Sequence, residues 1–210
     1  MPALASWTKR EKLLTVALAL PVAVALGVSG IEPYDRGTWF LEVAPVLIAA
    51  PVIALTWRRL PLTTLLCVLV ALHALVLIYG GAYTYARAPL GFWIQEMLGL
   101  DRNPYDRIGH LVQGFVPAIA SREILIRGRH VRGPWMLAFV CVCIPLAFSA
   151  FYELVEWGAA LALGGGSMDF LGTQGDVWDA QADMFCALVG AIVALVTLSR
   201  EHDRGLRALA

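Results

Sequence analysis

The sequence is short of charge. Acidic and basic residues fill only 15% of its 210 positions, well under the quarter or so typical of a soluble domain, which argues against a solvated globular surface. Sixteen basic and sixteen acidic residues cancel, and the cations lie scattered along helix ends rather than forming a grooved patch, which leaves a nucleic-acid reading without support. The four cysteines, Cys67, Cys141, Cys143 and Cys186, sit inside apolar runs without metal-type CxxC spacing, so they read as small buried hydrophobes. There is no serine elbow, Walker loop or HExxH pair, and reaction class cannot be read from a motif. Internal repeats, low-complexity tracts and linkers are absent as well. The apolar segments lack the alternation of a membrane barrel.

What the sequence has instead is apolar length. Hydrophobic residues make up 59% of the chain and mean hydropathy is +0.70, in long blocks. Crossing about 30 Å of hydrocarbon takes roughly 20 apolar residues as a helix. Spans are placed at 13–30, 38–57, 60–81, 107–126, 135–161 and 177–199. The expected fold is therefore all-α, a polytopic membrane helix bundle of about six transmembrane helices, with residues 1–210 forming a single integral membrane domain. The fourth span, holding His110, Gln113, Arg122 and Glu123, rests on charge pattern more than on hydropathy. Pro21, Pro45, Pro51, Pro117 and Pro145 lie within the spans, as a packed bundle in lipid tolerates. Ala23-Val24-Ala25 resembles a signal-peptidase site, but the apolar run continues past it and fits an uncleaved helix.

Orientation follows the basic residues beside the spans. Six spans collect Lys9, Arg10, Lys12, Arg58, Arg59, Arg122, Arg127, Arg129, Arg132, Arg200, Arg204 and Arg207 on one side, against Arg36, Arg87, Arg102 and Arg107 on the other. Both termini are thus expected in the cytoplasm. Twelve of the sixteen acids fall on the outer side, leaving Glu11, Glu123, Glu201 and Asp203 inside.

The outer halves carry the chemistry. GTQGDVWDAQADMF, residues 172–185, places Asp176, Asp179 and Asp183 at i, i+3 and i+7, on one face of a helix, with Trp178 at the interface. NPYDRIGHLVQGF puts Asp106, His110 and Gln113 on one stripe with Arg107 beside it. SAFYELVEW sets Glu153 and Glu156 three apart, near Ser149 and Tyr152. Ionisable groups inside a membrane are costly and face the bundle, where they are paired or functional. Together they are expected to line one outward-opening pocket, joined there by Glu42 and His73. Single members have plainer roles: Asp176 as a helix N-cap, Asp101 or Asp106 as caps around Asn103-Pro104, His73 as a packed, hydrogen-bonded histidine, Glu42 at headgroup level. The combination is less easily explained away, because one adjacent arginine cannot neutralise five carboxylates. Either a divalent cation or bound protons supply the missing charge. The candidate metal ligands are His110, Glu153, Asp179 and Asp183, a donor set suited to Zn, Mn or Fe. The candidate catalytic groups are His110, Glu153, Glu156 and Asp106, and the substrate contacts Arg102, Arg107 and Trp178.

WFLEVAPVLI, NPYDRIGH, AFYELVEW and GTQGDVWDAQADMF resemble the YjdF-like family of bacterial inner-membrane proteins, from about Trp39 to Arg204. That resemblance implies a multi-span inner-membrane protein and supplies no reaction. A looser similarity is to VanZ-like membrane proteins, whose pattern falls on Asp106 and His110, Ser149 and Glu153, then Asp179 and Asp183, with Gly190 beyond. Asp183 stands where that pattern has Asn. This likeness implies cell-envelope lipid or peptidoglycan chemistry on the outer leaflet.

Three functions fit. The first is a metal-dependent hydrolase or transferase acting on a membrane lipid or lipid-linked envelope substrate at the periplasmic face, with Arg102 or Arg107 holding phosphate and the amphipathic PLGFWIQEMLGL lying in the interface. The second is a non-catalytic scaffold whose polar cluster locks helix packing. The third is a proton or metal-ion transporter, disfavoured because the polar groups thin out toward the cytoplasm.

Overall fold

A computed structural model describes residues 9–57, 59–163 and 173–209, with side chains given from residue 13 onward except at 163. Arg58 and Gly172, and the side chains of Lys9, Arg10 and Lys12, lie outside the described residues. Among the described residues seven α-helices follow in order: α1 (Lys9–Ser29), α2 (Arg36–Thr56), α3 (Thr64–Tyr83), α4 (Pro89–Leu98), α5 (Tyr105–Arg127), α6 (Pro134–Leu163) and α7 (Asp179–Ala208). A 3-10 turn, Tyr85–Arg87, links α3 to α4. The described residues contain no strand.

Local chemistry fixes the helix ends. Asp35 caps α2 by accepting the Thr38 N–H at 2.7 Å. Thr63 caps α3 by accepting the Leu66 N–H at 3.3 Å. Short α4 has Pro89 in its first turn and stops at Gly99, whose φ of 63° is the left-handed conformation that favours glycine. The cap position of α5 is Pro104, without a side-chain cap bond, and just before it Asn103 Oδ1 accepts the Tyr105 N–H at 3.0 Å.

Helices α2, α3, α6 and α7 are long and apolar enough to cross a membrane, and Leu13–Ser29 of α1 is a shorter apolar helix. Large side chains on them face outward unpaired, among them Leu20, Val24, Leu55, Phe151 and Trp157. Helix α5 is different. Its 23 residues would extend about 34 Å at 1.5 Å per residue, yet its polar content keeps it out of that apolar set. The reason is position: α5 packs against α3, α6 and α7, so Asp106, His110, Ser121 and Glu123 are buried against protein rather than set in lipid.

Contacts at both ends of α5 give the helix directions. Its start meets the start of α7, where Arg102 pairs with Asp179, and its end meets the end of α7, where Glu123 meets His202 at 3.0 Å. The two helices therefore run parallel. Helix α6 runs against them, bringing Ser149 to His110, and α3 does likewise, with Thr63 at the Glu123 end and Tyr85 just beyond its other end against Tyr105. Close approach of α5 and α7 depends on two glycines. A Cβ on Gly114 would overlap the Ala187 carbonyl oxygen, and one on Gly190 would overlap that of Leu111. Such small-residue contacts let helices pack where lipid offers no hydrophobic drive.

Two apolar layers fill the interior. One holds Trp39, Val43, Ala74, Ile78 and Tyr105; the other holds Leu66, Ala118, Ile119, Ala191 and Ala194.

Candidate functional site

The acidic groups converge where the first turns of α5 and α7 meet the middle of α6. On α5, Asp106 and His110 stand one turn apart on the same face, and both are buried. His110 Nδ1 lies 3.1 Å from the buried Ser149 Oγ, which fixes the ring and turns Nε2 toward the carboxylates. There Nε2 is 3.3 Å from Glu153 Oε1 and 3.7 Å from Asp106 Oδ1. On α7, Asp179 and Asp183 follow at helical spacing, and only 1% of Asp183 is exposed.

Bare oxygens distinguish this cluster from a set of satisfied structural pairs. Asp106 Oδ1, Glu153 Oε1 and Asp183 Oδ1 are buried without a hydrogen-bond partner among the described residues. Buried polar atoms in native proteins are nearly always bonded, so three such carboxylate oxygens in one cluster call for a bound cation or for protons. Two groups of donors have ion-sized spacing, every donor atom within 4.8 Å of the others: His110, Glu153 and Asp183, and Asp106, Asp179 and Asp183. Donors bound around one ion at about 2.2 Å lie up to about 4.4 Å apart, so either group would need only a small contraction.

Of the sequence-derived donors His110, Glu153, Asp179 and Asp183, three fall in the first group, while Asp179 falls in the second with Asp106 and the shared Asp183. Asp176 is displaced. Helix α7 begins at Asp179, so Asp176 lies in the preceding turn and shares no helical face with Asp179 and Asp183. Nor does it cap the helix: its Oδ1 accepts the Trp178 N–H at 2.9 Å and its Oδ2 pairs with Arg107 at 2.6 Å. These contacts, the Trp178 N–H first and the arginines after it, hold the Asp176 carboxyl below its ordinary value.

The lead-in to α7 is strapped across the start of α5. Gln174 Nε2 donates to the Asn103 carbonyl and Gln174 Oε1 accepts the Asn103 N–H, both at 3.0 Å. Arg102 donates to the Thr173 carbonyl at 3.2 Å, pairs with Asp179 and reaches Asp176 at 3.6 Å. Asn103 in turn donates to the Ala88 carbonyl at 3.0 Å, next to Gly91, where any side chain would overlap it. The expected outward-opening pocket is consequently a closed cluster. The expected substrate contacts Arg102 and Arg107 form its rim, already paired with carboxylates, while Trp178 is 67% exposed at the surface.

Glu156 is buried one turn along α6 from Glu153 and belongs to neither donor group. Glu42 is buried, with Oε2 unpartnered among the described residues. His73 is packed but its Nε2 has no hydrogen-bond partner among the described residues, against expectation. As the sequence suggested, α4 is amphipathic, exposing Phe92, Trp93, Met97 and Leu98.

Sequence reasoning missed a second polar centre at the other end of the bundle. Glu123 there accepts from the Thr63 N–H at 3.0 Å and its hydroxyl at 2.7 Å, and pairs with Arg127 at 3.1 Å and His202 at 3.0 Å. His202 Nδ1 meets Arg122 at 2.9 Å, and Arg122 pairs with Asp203 at 2.7 Å. An adjacent Arg122-Glu123 pair deep in a span and a His on a distant helix were the available signals.

Comparison with known proteins gives a family without a reaction. Residues 14–204 match the family described as "Predicted membrane protein (DUF2238)". The chain is 56% identical over 197 residues to "Inner membrane protein YjdF" of Escherichia coli strain K12, covering 94% of each protein. No solved structure matches.

Proposed function

The chain belongs to the DUF2238 family of predicted membrane proteins, a multi-pass inner-membrane protein, and on that premise we propose that it is a metal-dependent hydrolase or transferase working at the periplasmic face on a lipid-linked envelope substrate. In this reading residues 1–210 form one membrane domain in which α1, α2, α3, α5, α6 and α7 cross in alternating directions. Both termini are cytoplasmic, on the side where Arg122, Arg127 and Arg204 gather about Glu123, Glu201 and Asp203. The acidic cluster then faces the periplasm.

The observation that carries the reading is the meeting of His110 Nε2, Glu153 and Asp183 at ion-sized spacing with bare, buried oxygens. A nitrogen with two carboxylates suits Zn, Mn or Fe. His110 fits a ligand's role on a further count, since Ser149 engages its other nitrogen and orients the ring. Such an ion supplies Lewis acidity and a water of lowered pKa. Glu156 and Asp106 stand beside the ligands to take up and return protons. Arg102 and Arg107 at the rim exchange Asp176 for a substrate phosphate, and the apolar face of α4 lies in the interface and leads the lipid portion inward.

Two other readings lose support. A conduit needs polar groups along its length, but the layer of Ala118, Ile119, Ala191 and Ala194 separates the acidic cluster from the Glu123 network. A purely structural lock needs satisfied hydrogen bonds, and the orphan oxygens are not satisfied. The test is elemental mass spectrometry on detergent-purified protein beside His110→Ala. Near-stoichiometric Zn, Mn or Fe, lost in the variant, is expected. A wild-type protein that stays metal-free even after loading sinks the proposal.

A further inference from the structure

We propose that the cluster holds a pair of divalent cations bridged by Asp183, an inference that rests on the cation reading above and goes beyond its single ion. The observation behind it is the division of the donors. His110, Glu153 and Asp183 form one group and Asp106, Asp179 and Asp183 the other, and Asp183 alone belongs to both. A carboxylate has two oxygens, and bridging two ions about 3.5–4 Å apart is what such a shared residue does in two-metal sites.

Independent support comes from the unpartnered atoms. Each group contains a bare buried oxygen of its own, Glu153 Oε1 in the first and Asp106 Oδ1 in the second, while Asp183 Oδ1 is bare in the shared residue. One ion placed between His110, Glu153 and Asp183 leaves the second group without a cation. Arg102 reaches that group at Asp179, and Arg107 pairs with Asp176. The charges point the same way. Asp106, Glu153, Asp179 and Asp183 carry four negative charges when ionised, one of which Arg102 offsets at Asp179, and the three that remain exceed what one divalent cation balances.

The two positions differ in chemistry. The group with His110 has one nitrogen and two carboxylates, fit for Zn, Mn or Fe, whereas the group with Asp106 is all oxygen and takes a harder ion such as Mg or Mn. Mn is the one ion suited to both, and it is the probe of choice because two Mn ions sharing a carboxylate give an exchange-coupled spectrum.

The experiment loads the detergent-purified full chain with Mn(II), removes excess by gel filtration, and measures Mn per chain and the electron paramagnetic resonance spectrum. Two Mn per wild-type chain with a coupled spectrum are expected. His110→Ala and Asp106→Asn are each expected to keep one uncoupled Mn, and Asp183→Asn to fall below one. A wild-type chain with one Mn, lost in both His110→Ala and Asp106→Asn, overturns the pair and leaves the single-metal reading intact. Two Mn that are uncoupled, or that survive Asp183→Asn, overturn the bridge. No Mn at all overturns both readings together. Should a variant fail to fold, the wild-type count and spectrum still decide between one ion and two.

Discussion

Glu123 Oε2 of α5 and His202 Nε2 of α7 meet at 3.0 Å, both side chains fully enclosed, at the opposite end of the bundle from the acidic cluster. Glu123 also accepts from the Thr63 backbone and hydroxyl and pairs with Arg127, so one carboxylate ties α3, α5 and α7 together. Unlike the acidic cluster, this centre has its partners, and it stands as the structural anchor of the fold. Removing one member strands the others. Glu123→Ala is expected to cost about 3–5 kcal/mol, measured by detergent-to-SDS unfolding, while Mn binding at the far end stays unchanged in whatever fraction remains folded.

The contact of α5 with α7 allows no side chain at Gly114 or Gly190. Because the obstacle is backbone carbonyl rather than a movable side chain, Gly114→Ala forces the helices apart. The expected cost is about 1–3 kcal/mol, together with a drop in bound metal, since Asp106 and His110 on α5 must meet Asp183 on α7. Gly27 of α1 is the control. Nothing lies within 4 Å of a Cβ placed there, so Gly27→Ala is expected to be neutral or to stabilise by up to about 1 kcal/mol.

Most of the helices were legible in the sequence because lipid demands long apolar runs, and α2, α3, α6 and α7 have them. Helix α5 was legible only through the placement of basic residues, since its burial among other helices frees it from hydropathy. Neighbours on one helix were legible too: Asp106 with His110, and Asp179 with Asp183. Pairings across the chain were not. Gln174 with Asn103 and Arg102 with Asp179 are more than 70 residues apart, and nothing periodic links them. Asp176 was misplaced for a local reason: helical spacing was extended back from Asp179 to Asp176, which instead closes a turn on the Thr173 carbonyl just after Gly175, with its φ of 89°.

The turn around Asp176 gives a pH dependence of definite sign. Its carboxyl is held below the ordinary value of 3.8, first by the Trp178 N–H and then by Arg107 and Arg102. A depressed value means that ionised Asp176 favours the closed strap above the ordinary carboxylate range, and that this support is lost as pH falls through the depressed value. Hydrogen exchange at residues 173–178 is therefore expected to be protected and flat from pH 8 to about 5, after correction for intrinsic rates. Protection declines below about 4. Asp176→Asn is expected to exchange faster throughout and to lose the acid-dependent step.

The sharpest prediction concerns Asp183, because the sign of its effect depends on whether a cation is present. Stripped of metal, the protein holds Asp183 buried beside Asp106, Asp179 and Glu153 with Oδ1 unbonded, an arrangement that destabilises the fold. Asp183→Asn removes that charge at nearly constant volume, so the chelator-treated variant is expected to be more stable than chelator-treated wild type, by about 1–3 kcal/mol. Loading reverses the order. At a free Mn(II) concentration one hundred times the dissociation constant, each occupied site adds about 2.7 kcal/mol to the wild type, and the variant gains little. Melting curves of both proteins with chelator and with Mn(II) check this directly. If Asp183→Asn is the less stable protein even under chelator, Asp183 is a satisfied structural acid, and the counter-charge argument for a cation loses its basis.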